Sequence, residues 1–239
     1  MPVTICWATK GGSGTTVVAA TIALACPTDA LLVDLDGELP AVLGLPDPSG
    51  QGVADWLASE APPDALDDLT VDVDRTTRLI PCGSVPLDRQ SPRWSELGRW
   101  LAARQTAVVD AGSHPPPDEL LGPDTRNLLV TRACYLALRR LAVARCRPDG
   151  VVLVAEPGRS LRPPDVERAA GAPVVATVSH DPAIARAVDA GLLAARMPRL
   201  LARELRGCGG SLRTPPAPAG SGERHGVGMW VRSRHGWTA

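Results

Sequence analysis

The stretch ICWATKGGSGTTVVAATIAL, Ile5 to Leu24, constrains this chain's architecture more than any other. An apolar run meets Gly11, Gly12 and Gly14, and a second apolar run begins just after Thr15 and Thr16. Strand, tight turn and helix in that order leave the helix's first backbone amides free to face an anion. The strict phosphate-loop pattern GxxxxGK[ST] nevertheless fails twice, with Thr9 at the first glycine and Thr15 at the lysine. On the loop alone, a glycine turn without a ligand stands as the alternative.

The rest of the chain repeats the strand-then-helix order. Strands are expected at Thr4–Ala8, Leu31–Asp34, Arg78–Pro81, Ala107–Asp110, Asn127–Thr131, Val151–Ala155 and Val174–Val178. Helices are expected at Thr15–Ala25, Val53–Ser59, Pro92–Arg104, Tyr135–Cys146, Pro164–Ala170 and Pro182–Ala190. Most strands are continuous apolar runs, the pattern of a sheet covered on both faces. Strands separated by helix-length segments imply parallel pairing. The fold class is therefore α/β, a doubly wound, mostly parallel sheet. One domain spans 1–206, and from 207 to 239 a Gly/Pro/Ser-rich composition reads as a flexible tail.

Three acids fall where such a sheet binds ligands. LLVDLDGELP places Asp34 and Asp36 at the carboxyl end of the second strand, and AVVDAG places Asp110 at the end of another. A carboxylate there can hold the waters of a hard, oxygen-seeking Mg²⁺. A turn or helix-capping aspartate is the plainer reading of each taken singly.

KGGSGTT, then VDLD, then VVDAG resembles the deviant Walker A group, the ParA/MinD family of nucleotide-binding switches. The resemblance runs over about residues 3–206 and includes APVVATVSHDPAIARAVDAGLL near its end. It implies ATP and Mg²⁺ as cofactors and a homodimer closed around the nucleotide. It also implies that Lys10 reaches the phosphates of the other subunit and that Gly11, Gly12, Ser13, Gly14, Thr15, Thr16 and Asp34 surround the cofactor. Thr16 would then ligate Mg²⁺, Asp110 would support the metal, and Asp36 would orient the attacking water. The family's second loop lysine is replaced by Thr15. Because charge neutralisation is most of phosphoryl-transfer catalysis, at most slow ATP hydrolysis is expected. Loops lacking that lysine resemble the pilus-localisation branch (TadZ/CpaE type), whose N-terminal receiver-like domain has no counterpart ahead of Thr4. The implied role is a positional switch or scaffold for cell division, septum-site or pilus machinery. A nucleotide-independent interaction scaffold is the alternative, and an ATPase in which Arg132, Arg139 or Arg140 replaces the lysine is a third.

Charge adds one supporting detail. Of 25 basic side chains the only lysine is Lys10, as expected where a compact ammonium is required. Residues 1–74 set that lysine against twelve acids, and the basic residues of the rest are arginines. The net charge of −1 argues against coating nucleic acid by bulk charge. Arg196, Arg199, Arg203 and Arg206 lie three or four apart, a solvated helix face or a contact for acidic lipid or DNA backbone. Trp230 and Trp237 in the tail offer contacts to a partner or, peripherally, to the inner face of the membrane. The scattered cysteines and a start without a signal pattern fit a cytoplasmic protein.

Overall fold

The computed structural model describes residues 3–46 and 50–208. Its core is one eight-stranded sheet: β1 (Val3–Trp7), β2 (Ala30–Asp34), β3 (Val71–Asp72), β4 (Thr77–Ile80), β5 (Ala107–Asp110), β6 (Thr125–Arg132), β7 (Gly150–Ala155) and β8 (Val174–Ser179). The strand order is β3-β4-β2-β5-β1-β6-β7-β8, and every pairing is parallel except β3 with β4. The expected α/β class is what the structure has. Each of β1, β2 and β5 is buried along its whole length, which is why these strands read as unbroken apolar runs.

Eight helices cover the two faces among the described residues: α1 (Thr15–Leu24), α2 (Leu39–Leu43), α3 (Val53–Leu57), α4 (Trp94–Ala102), α5 (Tyr135–Val143), α6 (Pro163–Ala170), α7 (Pro182–Asp189) and α8 (Arg199–Glu204). Helices α1, α2, α7 and α8 pack on one side around Val18, Ile22, Leu39, Leu193 and Leu201. On the other side α3–α6 close over Trp7, Trp56, Trp94, Leu97, Leu141 and Val166. Buried tryptophans supply the bulk that a chain without phenylalanine must find elsewhere.

Several expected boundaries move for identifiable reasons. Helix α5 stops at Val143 instead of Cys146, because Ala144 turns extended at ψ 138. Helix α4 starts at Trp94, two residues later than expected, after a turn in which the Ser91 Oγ accepts from the Arg93 amide. Asp181 caps α7 by accepting from the Ala183 amide at 2.8 Å. Gly207 and Cys208, grouped by composition with the tail, are held to the domain: Arg126 donates to both carbonyl oxygens, at 2.8 and 2.9 Å, and Cys208 is buried. The remainder of that tail lies outside the described residues, with Trp230 and Trp237.

Strand β8 is an edge, and its residues are mostly half-exposed instead of fully covered. Its outer amides are met by side chains. Glu167 accepts from the Val174 N–H at 2.9 Å, and Glu204 accepts from the Ser179 N–H at 3.0 Å. Elsewhere, α2 ends against the turn after α7, where Gly44 and Gly191 meet backbone to backbone. Gly44 has φ 76, and a Cβ placed there would run into the Gly191 carbonyl.

Candidate functional site

Three features converge at the carboxyl edge of the central strands. The first is the loop from β1 to α1. Gly14 serves as the N-cap of α1 with φ 90, a left-handed conformation that side-chain-bearing residues rarely adopt. No side chain caps the helix and no acid occupies its first turn, so its opening amides stay available to an anion. The Ser13 hydroxyl donates to the Lys10 carbonyl at 2.8 Å and folds the loop back on itself. Lys10 is half-exposed, and its Nζ donates to the Gly11 carbonyl at 3.2 Å. Thr15 is buried as the first residue of α1, and Thr16 is half-buried beside it.

The second feature is the pair Asp34 and Asp110, which sit side by side in the register of β2 and β5. Both are fully buried, yet they are used differently. Asp34 Oδ1 accepts from the Asp36 and Gly37 amides at 3.0 and 2.7 Å, and its Oδ2 accepts from the Leu39 amide at 3.2 Å. Burial pushes its carboxyl above the ordinary range, and the three amides oppose that shift. The resemblance groups Asp34 with the cofactor contacts. In the structure both of its oxygens accept from backbone amides, and Asp34 anchors the loop that carries Asp36.

Asp110 has only one oxygen so engaged, Oδ1 with the Gly112 amide at 3.0 Å. Its Oδ2 is buried without a hydrogen-bond partner among the described residues. Burial raises this carboxyl to about 7; the nearby Thr16 hydroxyl and the Gly112 amide favour the charged form, and Asp34 and Asp36 oppose it.

The third feature is the pair of loops that bring Asp36 across. Asp36 is exposed, and its carboxylate lies against the Cα of Gly112, where a Cβ would collide with it. The Gly112 carbonyl accepts from the Ala8 amide at 2.8 Å, so the loop after β5 is tied to the start of the glycine loop. Together these segments line a cleft of about 370 Å³ that includes Lys10 to Val17, Asp36, Glu38, Gly112 and Ser113. Lys10 is the basic side chain in this lining, opposite Asp36 and Glu38.

The arginines considered as substitutes for the lysine are engaged elsewhere or turned outward. Arg132 pairs with Glu156 at 2.6 Å, and Glu156 also holds Arg159. Arg140 donates to the Thr9 carbonyl at 3.3 Å, on the flank of the loop, and Arg139 is exposed. Arg89 is half-buried on the irregular loop between β4 and α4, where its Nη1 donates to the Pro115 carbonyl at 3.2 Å, and it does not line the cleft. Arg196, Arg199, Arg203 and Arg206 are exposed, while Leu201 and Leu205 are buried behind them, far along the chain from this cleft.

The arrangement fits Mg²⁺ and phosphate in one specific respect. The orphaned Asp110 oxygen beside the Thr16 hydroxyl supplies one carboxylate and one hydroxyl next to a bare helix N-terminus. A magnesium site completed by waters and phosphate oxygens needs little more from protein. Among the described residues there is no group of three or more His, Cys, Asp or Glu side chains placed to hold a metal, so an all-protein cage is not what this site offers.

The fold is that of P-loop NTPases of the ParA/MinD type. A ParA family ATPase from Chlorobium tepidum TLS superposes with a TM-score of 0.67 at 18% identity, over 85% of this chain and 95% of that one. The septum site-determining protein MinD from Pyrococcus horikoshii OT3, solved with Mg-ADP, gives 0.66 at 23% identity, over 88% and 99%. MinD in the MinC:MinD cell division complex of Aquifex aeolicus gives 0.65 at 19% identity, over 90% and 99%. No protein-family model and no curated protein matches the chain. Its structural neighbours are thus ParA/MinD family ATPases, and at these identities the likeness establishes the shared fold.

Proposed function

We propose that this chain is a positional switch or scaffold that binds ATP with Mg²⁺ and closes into a homodimer around it. The observation that carries this reading is the buried, unpartnered Asp110 Oδ2 beside Thr16, at the foot of a glycine loop and an uncapped helix. A buried acceptor left unmatched costs stability, and a ligand shell that satisfies it is a physical reason for its being there. The amides of Gly11 to Gly14 cradle phosphate, the Thr16 hydroxyl is a metal ligand, and Asp110 receives a metal-bound water. Lys10, only loosely held by its own loop, extends to the nucleotide of the partner subunit. Asp36 sits where it can hold the attacking water, and Asp34 keeps it there. Bound Mg²⁺ supplies charge neutralisation across the terminal phosphates.

Hydrolysis is slow in this reading, because Thr15 brings no charge to the subunit's own phosphates. The nucleotide therefore acts mainly to assemble the dimer, and partners in a division, septum-site or pilus-localisation system read that state. The finer likeness to the TadZ/CpaE type rests on Thr15 alone. Among the described residues no helix is long and apolar enough to cross a membrane. A scaffold that has lost its ligand is the competing reading, favoured by Thr15 and by the acids that line the cleft.

Calorimetry of the full chain with ATP and ADP, each with Mg²⁺ and with a chelator, decides between them. Micromolar, metal-dependent binding is expected. A folded protein that binds neither nucleotide would leave the scaffold reading in place.

A further inference from the structure

A second hollow lies at the opposite end of α1 from the glycine loop. Its apolar lining is Ile22, Ala25 and Pro27 from the end of α1, with Met197, Ala202 and Leu205 from α8 and its flanks. Its volume is about 510 Å³, larger than the cleft beside the glycine loop. Ile22 and Leu205 are buried and form the floor, while Ala25 and Pro27 stand exposed at the rim. Arg206 is the charged side chain in this lining. With Ala202 it also belongs to an adjoining hollow of about 430 Å³ that adds Arg199, Leu200 and Arg203. The two make one surface, an apolar trough with arginines along one side.

Those arginines are not engaged within the domain. Arg199, Arg203 and Arg206 are exposed, and none of them pairs with a carboxylate among the described residues. No acid lines either hollow. Glu204, the acid of α8, is committed inward, accepting from the Ser179 amide at 3.0 Å and from the Ser179 hydroxyl at 2.7 Å. The three arginines stand four and three apart, spacings at which like charges on a helix repel. A carboxylate brought alongside would relieve that repulsion.

Both walls of the trough are fixed. On one side the Ala25 amide donates to the Thr21 carbonyl at 2.9 Å, and the Cys26 amide to the Ala23 carbonyl at 3.1 Å. On the other, Arg126 holds the Gly207 and Cys208 carbonyls just beyond α8. A ligand seated here would therefore order little of the protein as it binds.

The chemistry of the trough narrows its occupant. Its larger apolar groups, Ile22, Met197 and Leu205, are buried or half-buried, so they are recessed from a flat bilayer surface. A duplex backbone would engage the arginines and leave the apolar half unused. The chain's own residues after Cys208 carry Arg213, Arg224, Arg232 and Arg234 against Glu223 alone, the wrong sign for this rim. A second copy presenting the same face would set arginine against arginine.

We propose that this trough docks a peptide segment of a partner protein in which apolar side chains alternate with aspartate or glutamate. The apolar groups fill the hollow, and the carboxylates take charge-assisted hydrogen bonds from Arg199, Arg203 and Arg206. A segment bound here leaves the glycine loop open, so the assignment stands apart from the nucleotide-binding reading.

The test pans a phage-displayed library of random short peptides on the full chain. Selected peptides, resynthesised with a fluorescent label, are then measured by anisotropy against wild type, Ala25→Trp and the double variant Arg203→Glu/Arg206→Glu. All three positions are exposed, and circular dichroism checks that each variant is folded. Selected sequences should combine Leu, Ile, Phe or Trp with Asp and Glu. Reversing the arginines should weaken binding about tenfold or more, as should the indole placed across the hollow at position 25. A library that yields no binder, a set of neutral or basic sequences, or binding untouched by either variant would overturn the assignment. So would protein that ignores acidic peptides but sediments with phosphatidylglycerol vesicles, or shifts duplex DNA, through the same arginines. That result would give the surface to a membrane or to nucleic acid.

Discussion

Replacing Asp110 with asparagine should make the nucleotide-free protein more stable, by an amount that depends on pH. In the folded chain burial lifts this carboxyl from its ordinary 3.8 to about 7. A raised folded value means that the folded state holds its proton more tightly than the unfolded state. The associated stability is fully present below pH 3.8 and is lost progressively until the pH passes about 7. At about 1.4 kcal/mol per pH unit, the charged form costs the fold about 4 kcal/mol by neutral pH. Asparagine keeps the acceptor for the Gly112 amide and never ionises. Urea unfolding of Asp110→Asn and wild type in chelator, from pH 5 to pH 8, should therefore show a gap that widens with pH and levels off above about 7. Asp34 lies beside Asp110 in both proteins, so the difference between the two curves reports mainly Asp110. A gap that is constant with pH would refute the reasoning, because it would mean that the Asp110 carboxylate ionises in the fold without penalty.

Three further outcomes are expected. Thr15→Lys should tighten Mg-ATP binding by about 1.5–3 kcal/mol, roughly 10- to 100-fold in Kd, and calorimetry showing no gain would mean that the cleft is not a nucleotide pocket. Lys10→Ala should abolish ATP-dependent dimerisation in sedimentation or mass photometry while changing stability by less than about 0.5 kcal/mol, since among the described residues its side chain hydrogen-bonds only to the neighbouring Gly11 carbonyl. Gly44→Ala combines a left-handed backbone with a collision against the Gly191 carbonyl, and should cost about 2–5 kcal/mol in urea unfolding.

Most of the sheet was legible because its central strands are buried on both faces and leave unbroken apolar runs such as AVVD and GVVLVA. The glycine loop and the two acids at the strand ends were legible for the same reason, since each closes such a run. What escaped lacks that signature. Strand β3 has only two residues, both exposed, and exists because Asp74 gathers the Thr76 and Thr77 amides into a turn. Helix α2 is a five-residue segment following directly on the Asp36 loop, begun by the amides that Asp34 collects and ended by Gly44. The division of labour between Asp34 and Asp110 was also invisible. Both are aspartates at strand ends, and only the direction of neighbouring amides leaves one oxygen of Asp110 free. The loop between β4 and α4 leaves no such signal either, because its conformation depends on contacts with α3 and the β5 exit and not on local pattern.

The carboxylates at the two ends of β8 have a consequence for how this molecule behaves in a crowd. An edge strand is an open invitation to any other extended chain, and a sheet this apolar would gain from accepting one. Glu167 and Glu204 occupy the amides a newcomer would need first, at Val174 and Ser179, leaving only Val175–Val178 between them. So short an opening, with a charged group at either end, gives poor purchase for runaway polymerisation. The molecule can therefore associate through a chosen face without its sheet becoming a seed.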